Sequence, residues 1–204
     1  LPGDERGCSI SSKSVLEERV RIKSKWNLKD RERTMAETGG AMAFILWRIA
    51  QQGVLNLENE GFQTDTNAQR LDVMGEFLGF LVHVTDRMTA ERLEQDERQE
   101  FVSSLAMHLA NTLQENRTDA EGKGKYRQPF IDLLNERAAD YSEFSFSDNE
   151  PGYACRRCFG DCVRSMMGAK DNQWVTDQVM DIETPAALKT LNKAIRDLFG
   201  ADPA

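Results

Sequence analysis

Cys155, Cys158 and Cys162 recur at i, i+3 and i+7, a spacing that reads either as a cysteine metal motif or as one stripe along an α-helix. The neighbours separate these readings. At about 100° per residue the three thiols fall within roughly 60° of arc. Phe159, Val163 and Met166 fill the same side, while Arg156, Arg157, Asp161 and Arg164 lie on the other. A helix holds such thiols in a row, whereas a zinc or iron–sulfur site needs a turn that makes them converge. The only other cysteine, Cys8, stands in an N-terminal stretch without periodicity. The stripe therefore reads as helix core, with inert thiols packing as small hydrophobes. Cys155 also lies near the start of its helix beside Arg156, a setting that lowers a thiol pKa and would suit a nucleophile partnered by histidine. Burial among Phe and Met works in the opposite direction.

The two histidines, His83 and His108, flank the turn near Glu94 to Asp96 at similar separations. At about 1.5 Å per residue each stands roughly 18 Å from that turn, so an antiparallel hairpin brings them to one level, though not to one face. His83 belongs to a narrow polar strip with Asp72, Glu76 and Arg87, and His108 lies one turn from Thr112. If the strip faced a cavity, Asp72, Glu76, His83, His108 and Glu115 could make a carboxylate–imidazole site for a transition metal, and the protein would be a metal-dependent enzyme. The residues three before each histidine are Phe80 and Leu105, so the Glu-x-x-His pair of ferritin-like bundles is missing, as is His-Glu-x-x-His. The strip is expected to be the wet side of an amphipathic helix. No motif specifies a cofactor.

Two basic segments are the leading binding candidates. From Arg19 to Lys29, Val20, Ile22, Trp26 and Leu28 alternate with Arg19, Arg21, Lys23, Lys25, Asn27 and Lys29, a period of two that signals a strand. A basic amphipathic helix entered from Ser14 explains the same residues. As a strand it needs a partner, for which the short alternations Val54 to Glu58 and Phe144 to Ser147 are available, or a second copy of the chain. The second segment, Gly122 to Arg127 with Lys123, Lys125 and Arg127, leads into a helix N-terminus, where amide groups and the dipole attract anions. It lacks the order of a nucleotide-binding loop and reads first as solvated surface.

The chain of 204 residues is 40 % apolar and 29 % charged, and its longest apolar candidate, Phe77 to Val84, is far short of a membrane span. The net charge of −8 disfavours nucleic-acid binding by the surface as a whole, leaving the basic arm as the one place for it. Residues 11–34 carry eight basic and four acidic side chains, which leaves −12 on the remainder. Four cysteines without the dense, even framework of small secreted scaffolds suggest a reducing compartment, so the cytoplasm is the expected location. No signal-peptide pattern is legible.

The elements that must position these residues are helices. Residues 1–12, with Pro2, Gly3 and Gly7, are expected to be a mobile tail, and residues 13–204 a single helical domain. Residues 30–52 carry Met35, Met42, Leu46 and Ile49 on one face and should stop at Gly53. Within them Gly39 and Gly40 either break the helix or admit a close crossing. Residues 67–88 are the most apolar helix, covering roughly 200° of circumference, which marks a central element. Asp96 with Gln99 resembles a capping box for a helix over 97–116, followed by a charged loop from Arg117 to Lys125. Pro129 suits the first turn of a helix to about Tyr141, and Pro151 should open the cysteine helix, ending at Gly168. Asp171 or Asn172 would cap a short helix bearing Trp174, Val175, Val179 and Ile182, and Thr184 with Pro185 would start the last.

The expectation is an all-α bundle of about six to eight helices with antiparallel neighbours, plus an N-terminal extended arm or short strand. Met35, Met42, Met74, Met88, Met107 and Met166 would line a soft interior, able in a third reading to hold a small apolar ligand. The leading reading is a non-catalytic binding protein, with a protein partner or a second copy held through Arg19, Arg21, Lys23, Lys25 and Trp26, and through Lys123, Lys125 and Arg127.

Overall fold

Thr34 opens the first helix because its hydroxyl accepts from the Glu37 amide at 3.1 Å while the Glu37 carboxylate accepts from the Thr34 amide at 3.2 Å. In the computed structural model, which describes residues 33–167 and 174–200, this helix is α1, Met35–Asn59. The expected strand or basic arm at 19–29, the tail at 1–12 and the ends placed at Gly168, Asp171 and Asn172 lie outside the described residues.

Gly53 does not end α1. The helix continues because Leu46, Ala50, Val54 and Leu57 keep the apolar stripe running, and because the Phe77 ring occupies the space a side chain at 53 would need. A Cβ there would clash with Phe77 Cε1. The alternation from Val54 to Glu58 is therefore helix, not strand. Gly39 and Gly40 mark a close crossing: a Cβ on Gly39 would be 2.7 Å from the Phe101 carbonyl oxygen, and Ser104 Oγ donates to the Ala36 carbonyl at 2.8 Å.

The helix across that seam is α3, Gln95–Glu121, and between the two in sequence runs α2, Asn67–Thr89. Residues 73–85 of α2 are buried without interruption, and α2 touches α1, α3 and the later helices, as its apolar circumference requires. The N-terminus of α3 is fixed by Glu97, whose carboxylate accepts from the Glu94 amide at 3.1 Å, two residues earlier than the Asp96–Gln99 pair suggested. At the other end α3 absorbs residues 117–121, because Arg117 is held within the fold by Asp72 of α2 and by Glu121.

Helix α4, Arg127–Ser142, carries Pro129 in its first turn as expected. Phe146–Ser147 (β1) and Glu150–Pro151 (β2) then form an antiparallel hairpin, Phe146 opposite Pro151, across Asp148 and Asn149 at φ 54° and 59°. Two successive left-handed residues fit the right-handed twist of a tight hairpin, which Asp and Asn tolerate better than most. Pro151 thus ends a strand rather than opening the cysteine helix, α5, Tyr153–Met166.

The last two expected helices form one rod: α6 (Val175–Gln178) passes through a π turn (Val179–Glu183) into α7 (Thr184–Phe199). Pro185 has no amide hydrogen for the preceding turn, and widening that turn removes the conflict. The Thr184 amide and hydroxyl both donate to the Val179 carbonyl, so Thr184 is inside the rod rather than its cap. The wide turn also shifts the apolar phase. The inner face passes from Val175 and Val179 to Thr184, Leu188 and Leu191, leaving Trp174 and Ile182 exposed. Among the described residues the fold is thus all-α, six helical rods and one two-stranded hairpin around a continuous apolar core. Met42, Met74 and Met88 lie in that core, Met35 and Met166 pack on it, and Met107 faces out, contrary to expectation.

Candidate functional site

Among the described residues, Glu76, His83 and Arg137, three of the buried polar or charged side chains, gather where α2 packs on α4 and α5. Glu76 and His83 stand two turns apart on α2, Arg137 and Tyr141 one turn apart on α4, and Cys158 and Cys162 one turn apart on α5. Arg137 Nε donates to Glu76 Oε2 at 2.6 Å and Nη2 to Oε1 at 2.9 Å, a two-pronged pairing. Its remaining nitrogen reaches Glu136 at 2.8 Å and Asp140 at 2.9 Å, so one guanidinium holds three carboxylates. Glu76 is 1 % exposed. Gly79 lets this happen, since a Cβ there would press to 3.1 Å on the Arg137 stem.

Tyr141 closes the cluster against aromatic rings. Phe80 meets it edge-on at 5.7 Å between centroids, His83 lies tilted at 5.6 Å, and Phe80 stacks on Phe159 of α5 at 4.2 Å. The Tyr141 hydroxyl is buried with no hydrogen-bond partner among the described residues, and burial, with Cys162 and Glu76 nearby, holds it firmly protonated. Burial, reinforced by the Arg87 charge and opposed by Asp86, lowers the His83 pKa and keeps the ring neutral.

The thiols follow the same logic. Burial pushes Cys155 up to about 11 and, with Glu76 adding to it, Cys162 up to about 12; burial also raises Cys158, whose sulfur accepts a hydrogen bond from Cys162. Cys155 is fully buried as expected, but Cys158 and Cys162 are only half-buried and border an open trough of about 470 Å³ with Tyr153, Arg157 and Asp161. Their exposed side does not make them nucleophiles, because the thiolate, not the thiol, attacks. This cluster can hold charge and shape, but it presents no ionised thiol and no free carboxylate to a substrate.

The five residues of the metal reading are not brought together: Asp72 is paired with Arg117 of α3. Glu76 is committed to Arg137, His83 faces Tyr141, Glu115 is exposed on α3, and His108 packs beside Gly40 of α1, where a Cβ would stand 3.0 Å from its Nε2. His83 thus packs toward α4 and His108 toward α1. Among the described residues no three His, Cys, Asp or Glu side chains form a group that could hold a metal ion. The polar strip of α2 is not a wet side either: its middle, Glu76 and His83, is covered by α4 and α5, and only its ends reach water.

Lys123, Lys125 and Arg127 are exposed between α3 and α4, but the amides an anion would use are occupied. Gln114 Oε1 accepts from the Tyr126 amide at 2.7 Å and the Arg127 amide at 3.0 Å, and its Nε2 donates to the Gly124 carbonyl at 2.9 Å. Arg19, Arg21, Lys23, Lys25 and Trp26 lie outside the described residues. Sequence reasoning missed Arg137, although it interrupts the stripe Phe130, Leu134, Tyr141 at helical spacing, which was the available signal. No protein family, curated protein or solved structure matches the chain.

Proposed function

We propose that this protein acts by binding rather than catalysis, and that its partner is a second copy of the same chain. The supporting observation is the outer face of α1, where Phe44 is 65 % and Leu55 47 % exposed, three turns apart on one line with Arg48 between them. Phe44 follows Gly40 by one turn, beside the seam occupied by His108. Charge supplies the second half of the reading. Residues 11–34 net +4 and the remainder −12, so the basic arm of one copy is complementary to the body of another. The alternating Val20, Ile22, Trp26 and Leu28 would then meet apolar surface while Arg19, Arg21, Lys23 and Lys25 meet carboxylates. Thiols held protonated fit a reducing compartment such as the cytoplasm. In addition, no helix among the described residues is long and apolar enough to cross a membrane.

Sedimentation equilibrium tests this reading. The mass average should rise with concentration at low salt, and both Phe44→Glu with Leu55→Glu and Val20→Asp with Ile22→Asp should return it to the monomer value. A monomer at every concentration and salt defeats the proposal.

A further inference from the structure

Arg87, Arg92 and Arg98 line a single cleft of about 460 Å³ at the C-terminal end of α2, closed on its far side by Phe146 and the hairpin tip. Each guanidinium is placed by a different contact. Arg98 Nε and Nη2 each donate to one oxygen of Asp86 at 2.6 Å, which orients the fork and leaves Nη1 for another acceptor. Arg92 Nη1 donates to the Gly200 carbonyl at 3.1 Å, anchoring it to the end of α7. Arg87 lies over the Phe146 ring, 5.4 Å from its centroid, and makes no ion pair among the described residues. A guanidinium fixed by stacking and left without a carboxylate keeps its planar edge available to a ligand.

The cleft has the volume of a small-molecule site and a polar lining. Its acidic members, Glu91 and Asp148, are exposed, so water screens their repulsion of an anion, and a single carboxylate would occupy only one guanidinium fork. A compact oxyanion of higher charge, able to take two guanidinium edges at once, fits better. We propose that the cleft between the α2–α3 turn and the hairpin binds a phosphate-type oxyanion, gripped by Arg87 with Arg98 as the flanking donor. This site is independent of self-association, because it lies on neither the outer face of α1 nor the arm.

The test is calorimetric titration of the full chain with inorganic pyrophosphate at constant ionic strength. One saturable site is expected, weakened about tenfold or more by Arg87→Ala, as loss of a charge-assisted hydrogen bond dictates. Arg87→Gln keeps stem packing on Phe146 and should weaken binding similarly, with circular dichroism confirming the fold of both variants. Lys125→Ala, and replacement of Arg19, Arg21, Lys23 and Lys25 by Ser, should leave affinity unchanged. The proposal fails if no saturable binding occurs at millimolar pyrophosphate, or if the arm variant abolishes binding while Arg87→Ala does not. Vesicles of phosphatidylcholine with phosphatidate distinguish the source: co-sedimentation lost in Arg87→Ala makes the phosphate a lipid headgroup, and pyrophosphate binding without co-sedimentation makes it a free one.

Discussion

Glu76 and Arg137 show how much one buried pair decides. Each charge alone would be costly among Val73, Phe77 and Phe130, and the two are tolerated because every prong of the guanidinium has a carboxylate. Removing one partner with Glu76→Ala should therefore destabilise the fold by about 3–5 kcal/mol in urea denaturation, whereas Glu76→Leu with Arg137→Met should cost far less. A loss under ~1 kcal/mol for Glu76→Ala would contradict the pairing. His83 adds a pH dependence whose sign follows from its lowered pKa. The unfolded ring titrates near 6.5 and the folded ring below that, so between the two the unfolded state binds more protons. The His83 contribution is intact above pH 6.5 and is lost as pH falls through the folded value. Glu58, lowered chiefly by its Arg70 hydrogen bond, adds stability that is intact above its ordinary 4.5 and is lost only as pH falls below that value. The melting temperature should fall from pH 7 toward pH 5, and His83→Gln should flatten that slope; an unchanged slope would reassign it. Charged residues inside apolar stripes were readable in the sequence at both 76 and 137. That they meet was not, because the pairing joins helices 61 residues apart and depends on which faces α2 and α4 turn to each other.

At the scale of elements, glycines decide where helices approach. Gly39→Ala gains helix propensity of about 1 kcal/mol, but its Cβ would meet the Phe101 carbonyl at 2.7 Å. Backbone cannot rotate aside, so the net effect should be a loss of about 1–3 kcal/mol. Gly75→Ala meets only Leu133 Cδ2 at 3.2 Å, the end of a flexible side chain, and should be neutral or mildly favourable. Chemical denaturation of both variants gives the comparison, and equal effects would mean the α1–α3 seam is not rigid. Helix existence was legible from periodicity almost throughout. Helix ends were less so, since Gly53 looks like a stop until Phe77 is placed against it, and Pro185 looks like a start until the π turn is seen to absorb it. The hairpin was partly visible in the Phe144 to Ser147 alternation, but its partner is Glu150–Pro151 and its turn is Asp148–Asn149.

For the whole molecule, charge acts in two opposed ways that salt can separate. A net charge of −8 repels itself within one chain, so screening should stabilise the isolated protein. In the self-association we propose, complementarity between a +4 segment and a −12 remainder draws two chains together, so the same screening should dissociate them. Raising salt at dilute concentration is therefore expected to raise the melting temperature while lowering the mass average measured at high concentration. Replacing Arg19, Arg21, Lys23 and Lys25 by Ser removes four positive charges and takes the total from −8 to −12. That variant should lose the salt-sensitive mass and show a steeper stabilisation by salt, because self-repulsion has grown and its counterweight has gone. A mass that rises with salt would instead point to contact through Phe44 and Leu55 alone, since apolar association strengthens as charge is screened.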